Sequence, residues 1–453
     1  MSNFRPINRD TGFLLPPSVD EWLPQRHLAR FVVEVIDGLD LSELVKAYRG
    51  SGSASYHPAM LLGLLVYGYA TKTFSSRAIE RATHDSVAFR YIAGNEHPDH
   101  DTIAAFRKRF LGQIEALFLE VLRLARTLGM LKLGTVALDG TKVHANASRH
   151  HALSYGHAKK IEKQLKREVK QLLRLADRAD AEDIPDGMSI PEELERRELR
   201  LAAIAAAKVK IEARAEERLE RDQAEYNSKL SARAEQEKRT GKKTRGPPPS
   251  PPTGSVRDKD QVNLTDEESR IMKVAGGGFD QCYNAQAVVA TGSLLIVATE
   301  VTQAVTDIEQ LVPMIEKIKA LPQELGRAKR ILADAGYLSQ SNVEHCTRAK
   351  IEPLIAMGRS GHHGSWKQRF RAAPRSVPDS ATPLQKMAHR LKTPRGRKLY
   401  APRKQTPEPV FGIIKSVMGY RQCLLRGLEN VKGEWNLVTM SWNIKRMFAM
   451  QPC

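Results

Sequence analysis

The chain is poor in cysteine, poor in aromatics and short of acids relative to bases. Its four cysteines, Cys282, Cys346, Cys423 and Cys453, are scattered and form no C-x-x-C pair. That spacing excludes a disulfide framework and a cysteine-based zinc site, and it fits a reducing compartment. No apolar run approaches twenty residues, so no spanning helix is expected. The most apolar stretch, 60–70 (MLLGLLVYGYA), reads instead as a buried helix. The opening MSNFRPINRDTGF has no apolar stretch of the kind a secretory signal needs. What the chain has in excess is positive charge: 71 Lys+Arg against 52 Asp+Glu, a formal net charge of +19. Such an excess points to a polyanionic partner, nucleic acid first and an anionic membrane surface second. With 41% hydrophobic residues the chain can build a sizeable core, which excludes wholesale disorder. Its 453 residues suggest two to three domains of about 150 residues each.

Periodicity divides the chain into four blocks. Residues 1–130 carry helical patterns: 22–37, 60–70 opened by His57-Pro58, a segment capped by Ser75 or Ser76, and a long helix over 101–129 capped by Asp101 and closed by Gly129. Arg107, Lys108 and Arg109 on that long helix suit DNA docking, or equally a helical bundle with a solvated basic face. Residues 131–146 (LGTVALDGTKVHAN) are β-branched and apolar and read as a strand. Residues 150–245 form two charged Ala/Leu-rich helices around the turn DAEDIPDGMSIP, an antiparallel hairpin that ends in the Pro-rich linker KRTGKKTRGPPPSPPTG. From 279 onward strands and helices alternate, which predicts a mixed sheet flanked by helices. Residues 359–404 read as a basic loop with 13 Lys/Arg and the single acid Asp379, able to neutralise several phosphates. Trp366, Phe370 and Tyr400 within it suit base stacking.

Three acids stand out by context. Asp139 ends the apolar run TVAL, Asp334 ends ILA, and Glu408 falls in the first turn of the helical segment TPEPVFGIIKSV. Carboxylates held together repel unless a cation neutralises them. Mg²⁺ takes such oxygens together with substrate phosphates, and a pair of ions can assist phosphoryl transfer. Singly, each acid has a plain structural reading as a turn cap or a helix-dipole partner. Glu300, Asp307, Glu429 and Glu434 are rival acids, and Glu408 ranks above Glu434 because it follows directly on the basic segment and has Lys415 seven residues on.

These residues carry a resemblance. VALDGTKVHANAS, NLTDEESRIMK with GGFDQCYNAQ, and ILADAGYLS resemble the first-Asp strand, the segment around the next strands and the second-Asp strand of bacterial insertion-sequence DDE transposases. Tyr400, Arg403, Glu408 and Lys415 resemble that family's Y-x2-R-x3-E-x6-K signature, with one extra residue between Arg403 and Glu408. The block FSSRAIERATHDSVAFRYIAGNEHPDHDTIAAFRKRF resembles the DNA-binding domain of the same elements.

The resemblance implies an α/β (α+β mixed) fold. A helical DNA-binding domain at 1–130 would precede an RNase H-like core at 131–149 and 260–453. The charged hairpin at 150–259 would be inserted into that core, which accounts for most of the 195 residues from Asp139 to Asp334. It implies that Asp139, Asp334 and Glu408 are catalytic and hold Mg²⁺ or Mn²⁺, two ions in all. It implies that Lys142, Arg107, Lys108, Tyr400, Arg403, Lys404 and Lys415 meet DNA. His144 is expected to stay outside the chemistry. The partners implied are double-stranded DNA, both terminal repeats and target, and a second copy of the chain, with no membrane and no small-molecule substrate. The setting implied is the bacterial cytoplasm, beside the nucleoid. A stand-alone metal-dependent nuclease and an inactive DNA-binding relic of an element are the other readings.

Overall fold

The computed structural model describes residues 18–48, 55–178, 189–241, 243–244, 246–254, 256–358, 376–378 and 380–451. The chain divides into two compact units, residues 1–146 with 282–453, and residues 147–281.

The first unit begins with short helices: α1 (Val19–Trp22), α2 (Leu28–Asp37), α3 (Ser42–Lys46), α4 (Pro58–Ala70), α5 (Ser76–Asp85), α6 (Val87–Ile92), α7 (His100–Phe110) and α8 (Ile114–Thr127). The expected helix over 22–37 breaks into α1 and α2 around Pro24, because proline disfavours helix at the residue before it. His57 caps α4 by accepting from the Ala59 amide at 3.2 Å, with Pro58 in the first turn. Ser75 caps α5. The cap of α7 is Asp99 rather than Asp101, its Oδ1 accepting from the Thr102 amide at 2.7 Å. The single long helix expected over 101–129 is two helices, broken by a 3₁₀ turn at Leu111–Gln113, and Gly129 closes the second at φ 71°. α4 is apolar on every face and buried on nearly all of them, as that pattern requires. A Cβ at Gly68 would stand 2.5 Å from the Thr73 carbonyl oxygen, so the turn after α4 requires glycine there.

The sheet of this unit holds β1 (Thr135–His144), β5 (Phe279–Ala290), β6 (Ile296–Thr302), β7 (Arg330–Ala333) and β8 (Glu352–Ile355), while β2 (Ala152–Ser154), β3 (Gln261–Asn263) and β4 (Arg270–Lys273) fall within residues 147–281. β5 runs antiparallel to both β1 and β6, while β7 runs parallel to β1 and to β8. α11 (Leu311–Ala320) and α12 (Gln340–Arg348) connect the parallel strands, as a mixed sheet with crossovers demands. Residues 376–405 correct the expectation of a loop wherever they are described. They form α13 (Pro383–Lys392), α14 (Pro394–Tyr400) and a 3₁₀ turn, Ala401–Gln405. Thr382 with Gln385 makes a capping box, and Thr393 with Pro394 caps α14, signals outweighed by the charge bias. Trp366 and Phe370 lie outside the described residues. α15 (Pro407–Gly412) passes into a π-turn, Ile413–Val417.

A single closing helix, α16 (Leu428–Met450), packs on β6, α4 and α8. Trp435 and Trp442 are buried, as expected, and donate to the Gln286 and Leu294 carbonyls at 3.2 and 3.0 Å. Asn443 brackets Ile296, accepting from its amide and donating to its carbonyl, both at 2.8 Å.

The second unit is a helical hairpin, α9 (Tyr155–Arg178) against α10 (Ile190–Thr240), with β2 (Ala152–Ser154) paired to β3 (Gln261–Asn263) at its base. Leu153, Ala158, Leu165, Ile204, Ala207, Ile211 and Val262 form its core. Ion pairs Glu162–Lys208 and Glu168–Arg197, both 2.8 Å, tie the helices together. The described part of the Pro-rich linker buries no residue and is held to α10 by a few contacts. Arg233 donates to the carbonyls of Thr244, Gly246 and Pro247, and Gly254 lies where any Cβ would strike Leu219. β4 (Arg270–Lys273) turns through Gly276, Gly277 and Gly278, all at positive φ, into β5. No helix among the described residues is long and apolar enough to cross a membrane.

Glu434, one of the rival acids, is wholly buried in α16. It accepts from Tyr69 Oη at 2.8 Å and from the Leu424 and Leu425 amides at 3.0 and 3.1 Å. Burial pushes its carboxyl above the usual range while these donors oppose the shift. Glu434→Ala strands these donors in the core and is expected to cost about 2–4 kcal/mol, read as a lower midpoint in urea unfolding.

Candidate active site

β1 pairs with β7 as Thr135↔Arg330, Val136↔Ile331 and Ala137↔Leu332. Continued by two residues, that register brings Asp139 level with Asp334, the residue immediately after β7. Asp334 caps the 3₁₀ turn Ala335–Tyr337 through the Gly336 amide at 2.8 Å, so its structural role and its placement coincide. Asp139 Oδ1 accepts from the Gly140 amide at 3.0 Å. Glu408 arrives from the first turn of α15, which packs on β1.

One guanidinium joins the three acids. Arg403 Nη2 stands 3.0 Å from Asp139 Oδ2 and 3.8 Å from Asp334 Oδ2, and its Nη1 stands 2.6 Å from Glu408 Oε1. The Arg403 side chain is 8% exposed and that of Asp139 15%, against 48% for Asp334 and 57% for Glu408. The inner part of the centre is therefore dry and its rim is wet. Burial pushes Asp139 up to about 7. Arg403 opposes the shift, and the nearby charges of Asp334 and Asp307 add to it. Arg403 Nε is buried without a hydrogen-bond partner. The donor chemistry of the centre, carboxylate oxygens around one shared cation, fits Mg²⁺ or Mn²⁺. In this arrangement the shared cation is the guanidinium, and among the described residues no three His, Cys, Asp or Glu side chains form a metal cage.

The structure therefore brings together Asp139, Asp334, Glu408 and Arg403 and places the other expected DNA contacts differently. Arg107 is buried: helical spacing puts it inward beside Ile103, Phe106 and Phe110, and it donates to Tyr69 Oη at 3.3 Å and the Phe74 carbonyl at 3.2 Å. Lys108 is exposed on the same helix. Tyr400 is half-buried against the sheet, its hydroxyl donating to the Ala333 carbonyl at 3.1 Å, so it braces the Asp334 turn. Lys415 donates to the Lys142 carbonyl at 2.7 Å, tying the π-turn to β1. Lys142 Nζ lies 3.5 Å from Asp307 Oδ1. Burial lowers the affinity of both lysines for a proton. Lys404 is exposed beside Arg403, so of the two it is Arg403 that turns to the acids. Glu300 pairs with Lys317 at 3.0 Å, and Glu429 with Lys432 at 3.0 Å.

The rival acid Asp307 sits with this cluster, linked to the fully buried Asn284 and Gln286 of β5. Asn284 and Gln286 were missed in the sequence, although a readable signal was there. Two amides at i and i+2 share one face of an otherwise apolar strand, and buried polar groups need partners.

Residues 17–109 match the family described as Transposase domain (DUF772), and residues 249–444 match the Transposase DDE domain. Together these segments cover more than half of the chain, and the protein belongs to the insertion-sequence DDE transposases. No curated protein and no solved structure gives a significant match. The DDE match includes Asp334, Arg403 and Glu408 but not Asp139, which joins them only through β1.

The raised Asp139 carboxyl has a defined consequence. A folded-state value near 7 above an unfolded value near 4 means that the associated stability is present at low pH and lost as pH rises through 7. Relative to Asp139→Asn, the native protein is expected to lose on the order of 2–4 kcal/mol between pH 5 and pH 8. Urea unfolding at the two pH values checks it, and a pH-independent difference refutes it.

Proposed function

We propose that this transposase cuts DNA at the ends of its insertion sequence and joins the freed 3′ ends to target DNA. The observation that carries the reading is the convergence of Asp139, Asp334 and Glu408, from the middle of β1, the end of β7 and a helix start, on one buried cation. Asp139, Asp334 and Glu408 would hold Mg²⁺ or Mn²⁺, two ions in all, which activates the attacking oxygen and stabilises the leaving one when bound. Asp139 and Asp334 lend rigidity, because Asp139 stands on the paired backbone of β1 and Asp334 caps the turn that follows β7. Glu408, more exposed than Asp139, would meet the substrate phosphate at the rim of the centre. Arg403 offsets the repulsion of the acids and presents a guanidinium suited to phosphate oxygens. Lys404, exposed beside it, and Lys108, exposed on α7, contact the DNA backbone without reading sequence. Tyr400, Lys142 and Lys415 hold the backbone on which the acids stand. The helical block 1–130 grips the terminal repeats, the core 131–149 with 260–453 performs the chemistry, and the hairpin 150–259 is an inserted arm. Two copies pair two ends.

The test is a cleavage and strand-transfer assay on DNA carrying the element's own ends, with Mn²⁺ or Mg²⁺. Asp139→Ala, Asp334→Ala and Glu408→Ala are each expected to lose at least about a hundredfold in rate while retaining DNA binding. Full activity in any of them removes that residue from the site. Cutting without joining identifies a stand-alone nuclease, and binding without cutting by the native chain identifies a relic. Binding is also expected to weaken linearly in log–log form with salt. Lys108→Ala and Lys404→Ala should each reduce the slope by about 0.9 in filter-binding titrations, and an unchanged slope removes that lysine from the DNA surface.

A further inference from the structure

Behind the three acids lies a second polar cluster that the chemistry above does not use. Asp307 Oδ1, in the segment between β6 and α11, accepts from Asn284 Nδ2 at 2.6 Å and from Gln286 Nε2 at 2.8 Å, with Lys142 Nζ at 3.5 Å. Gln286 Nε2 also donates to Asn284 Oδ1 at 3.0 Å, and Gln286 Oε1 accepts from the Tyr337 hydroxyl. Asn284, Gln286 and Tyr337 are all fully buried. The cluster therefore spans β5, β1 and the turn after β7.

Its position relative to the acids is specific. Gly140 follows Asp139 and pairs across the sheet with Gln286, while Lys142 pairs with Asn284. A Cβ on Gly140 would stand 2.2 Å from Gln286 Nε2 and 2.9 Å from Asp307 Oδ1. A Cβ on Gly336, two residues after Asp334, would stand 3.0 Å from Asp334 Oδ1 and 3.9 Å from Asp307 Cβ. Asp307 thus fills the space left by the two glycines beside the two aspartates. A fourth carboxylate so close to two others raises the electrostatic cost of the site, and among the described residues Lys142 is the one cation it pairs with. A side chain serving shape alone would be neutral here.

We propose that Asp307 is a positioning residue for the metal-holding acids. It gathers Asn284, Gln286 and Lys142, and through Gln286 it locks Tyr337, so that the backbone after Asp139 and after Asp334 is fixed and both carboxylates face the common centre. The proposal rests on the reading of Asp139, Asp334 and Glu408 as the groups that hold the ions. Partners that orient ligands in this way commonly contribute ten- to a hundredfold to metal affinity or rate.

The experiment uses the full chain and two readouts: the Mn²⁺ concentration giving half of the maximal thermal shift, and kcat and KM for cleavage of end DNA. Asp307→Ala is expected to raise the Mn²⁺ midpoint about ten- to a hundredfold and to lower kcat similarly, with KM for DNA unchanged. Tyr337→Phe should move both in the same direction by a smaller factor. Asp307→Asn preserves shape and decides the question if the alanine variant does not fold, since loss of the charge alone must raise the Mn²⁺ midpoint. A folded Asp307→Asn protein with the native Mn²⁺ midpoint and native kcat overturns the proposal. Asp139→Ala serves as the reference. If it abolishes the Mn²⁺ response while Asp307→Asn does not alter it, this inference alone fails. If Asp139→Ala responds to Mn²⁺ like the native protein, the underlying metal reading fails and this inference with it.

Discussion

The structure around the site depends on one buried guanidinium shared by three carboxylates. Asp139, Asp334 and Glu408 would repel one another around one centre, and the planar fork of Arg403 offsets that repulsion by reaching all three. The local backbone is organised around this. The 3₁₀ turn Ala401–Gln405 aims Arg403 inward, α15 starts immediately afterwards and supplies Glu408, and Tyr400 fastens the same segment to the end of β7. The extra residue between Arg403 and Glu408, relative to the family signature, falls in this turn.

The second constraint is the position of β1. It lies between β5 and β7, both of which come from far later in the chain. The DDE family match begins after β1, yet the first aspartate is on it. The long stretch of chain between β1 and β5 does not prevent their pairing, which depends on register and side-chain burial rather than on loop length, whose entropic cost grows slowly. Parallel pairing with β7 then brings the second aspartate level with the first.

Much of this was legible. The apolar runs before Asp139 and Asp334 read correctly as strands, 60–70 as a buried helix, and 150–245 as a helical hairpin, because each rests on local periodicity. The rest was not. The family resemblance points Arg107 and Tyr400 toward DNA, but helix phase and packing turn them inward. The charge bias of 359–404 predicts a loop, while in its described part the capping residues Thr382 and Thr393 start helices. The partnership of Asp307 with Asn284 and Gln286 crosses elements with no sequence link.

The sequence by itself determined the mixed α/β architecture, through local periodicity, and its short motifs carried the resemblance to the family and singled out the three acids as candidates. Only the tertiary structure decided which cation the acids share, which rival acid joins them and which basic residues face inward. Those outcomes depend on burial and on distances between residues hundreds of positions apart, and burial is set by the packing of the whole unit rather than by any local stretch of chain.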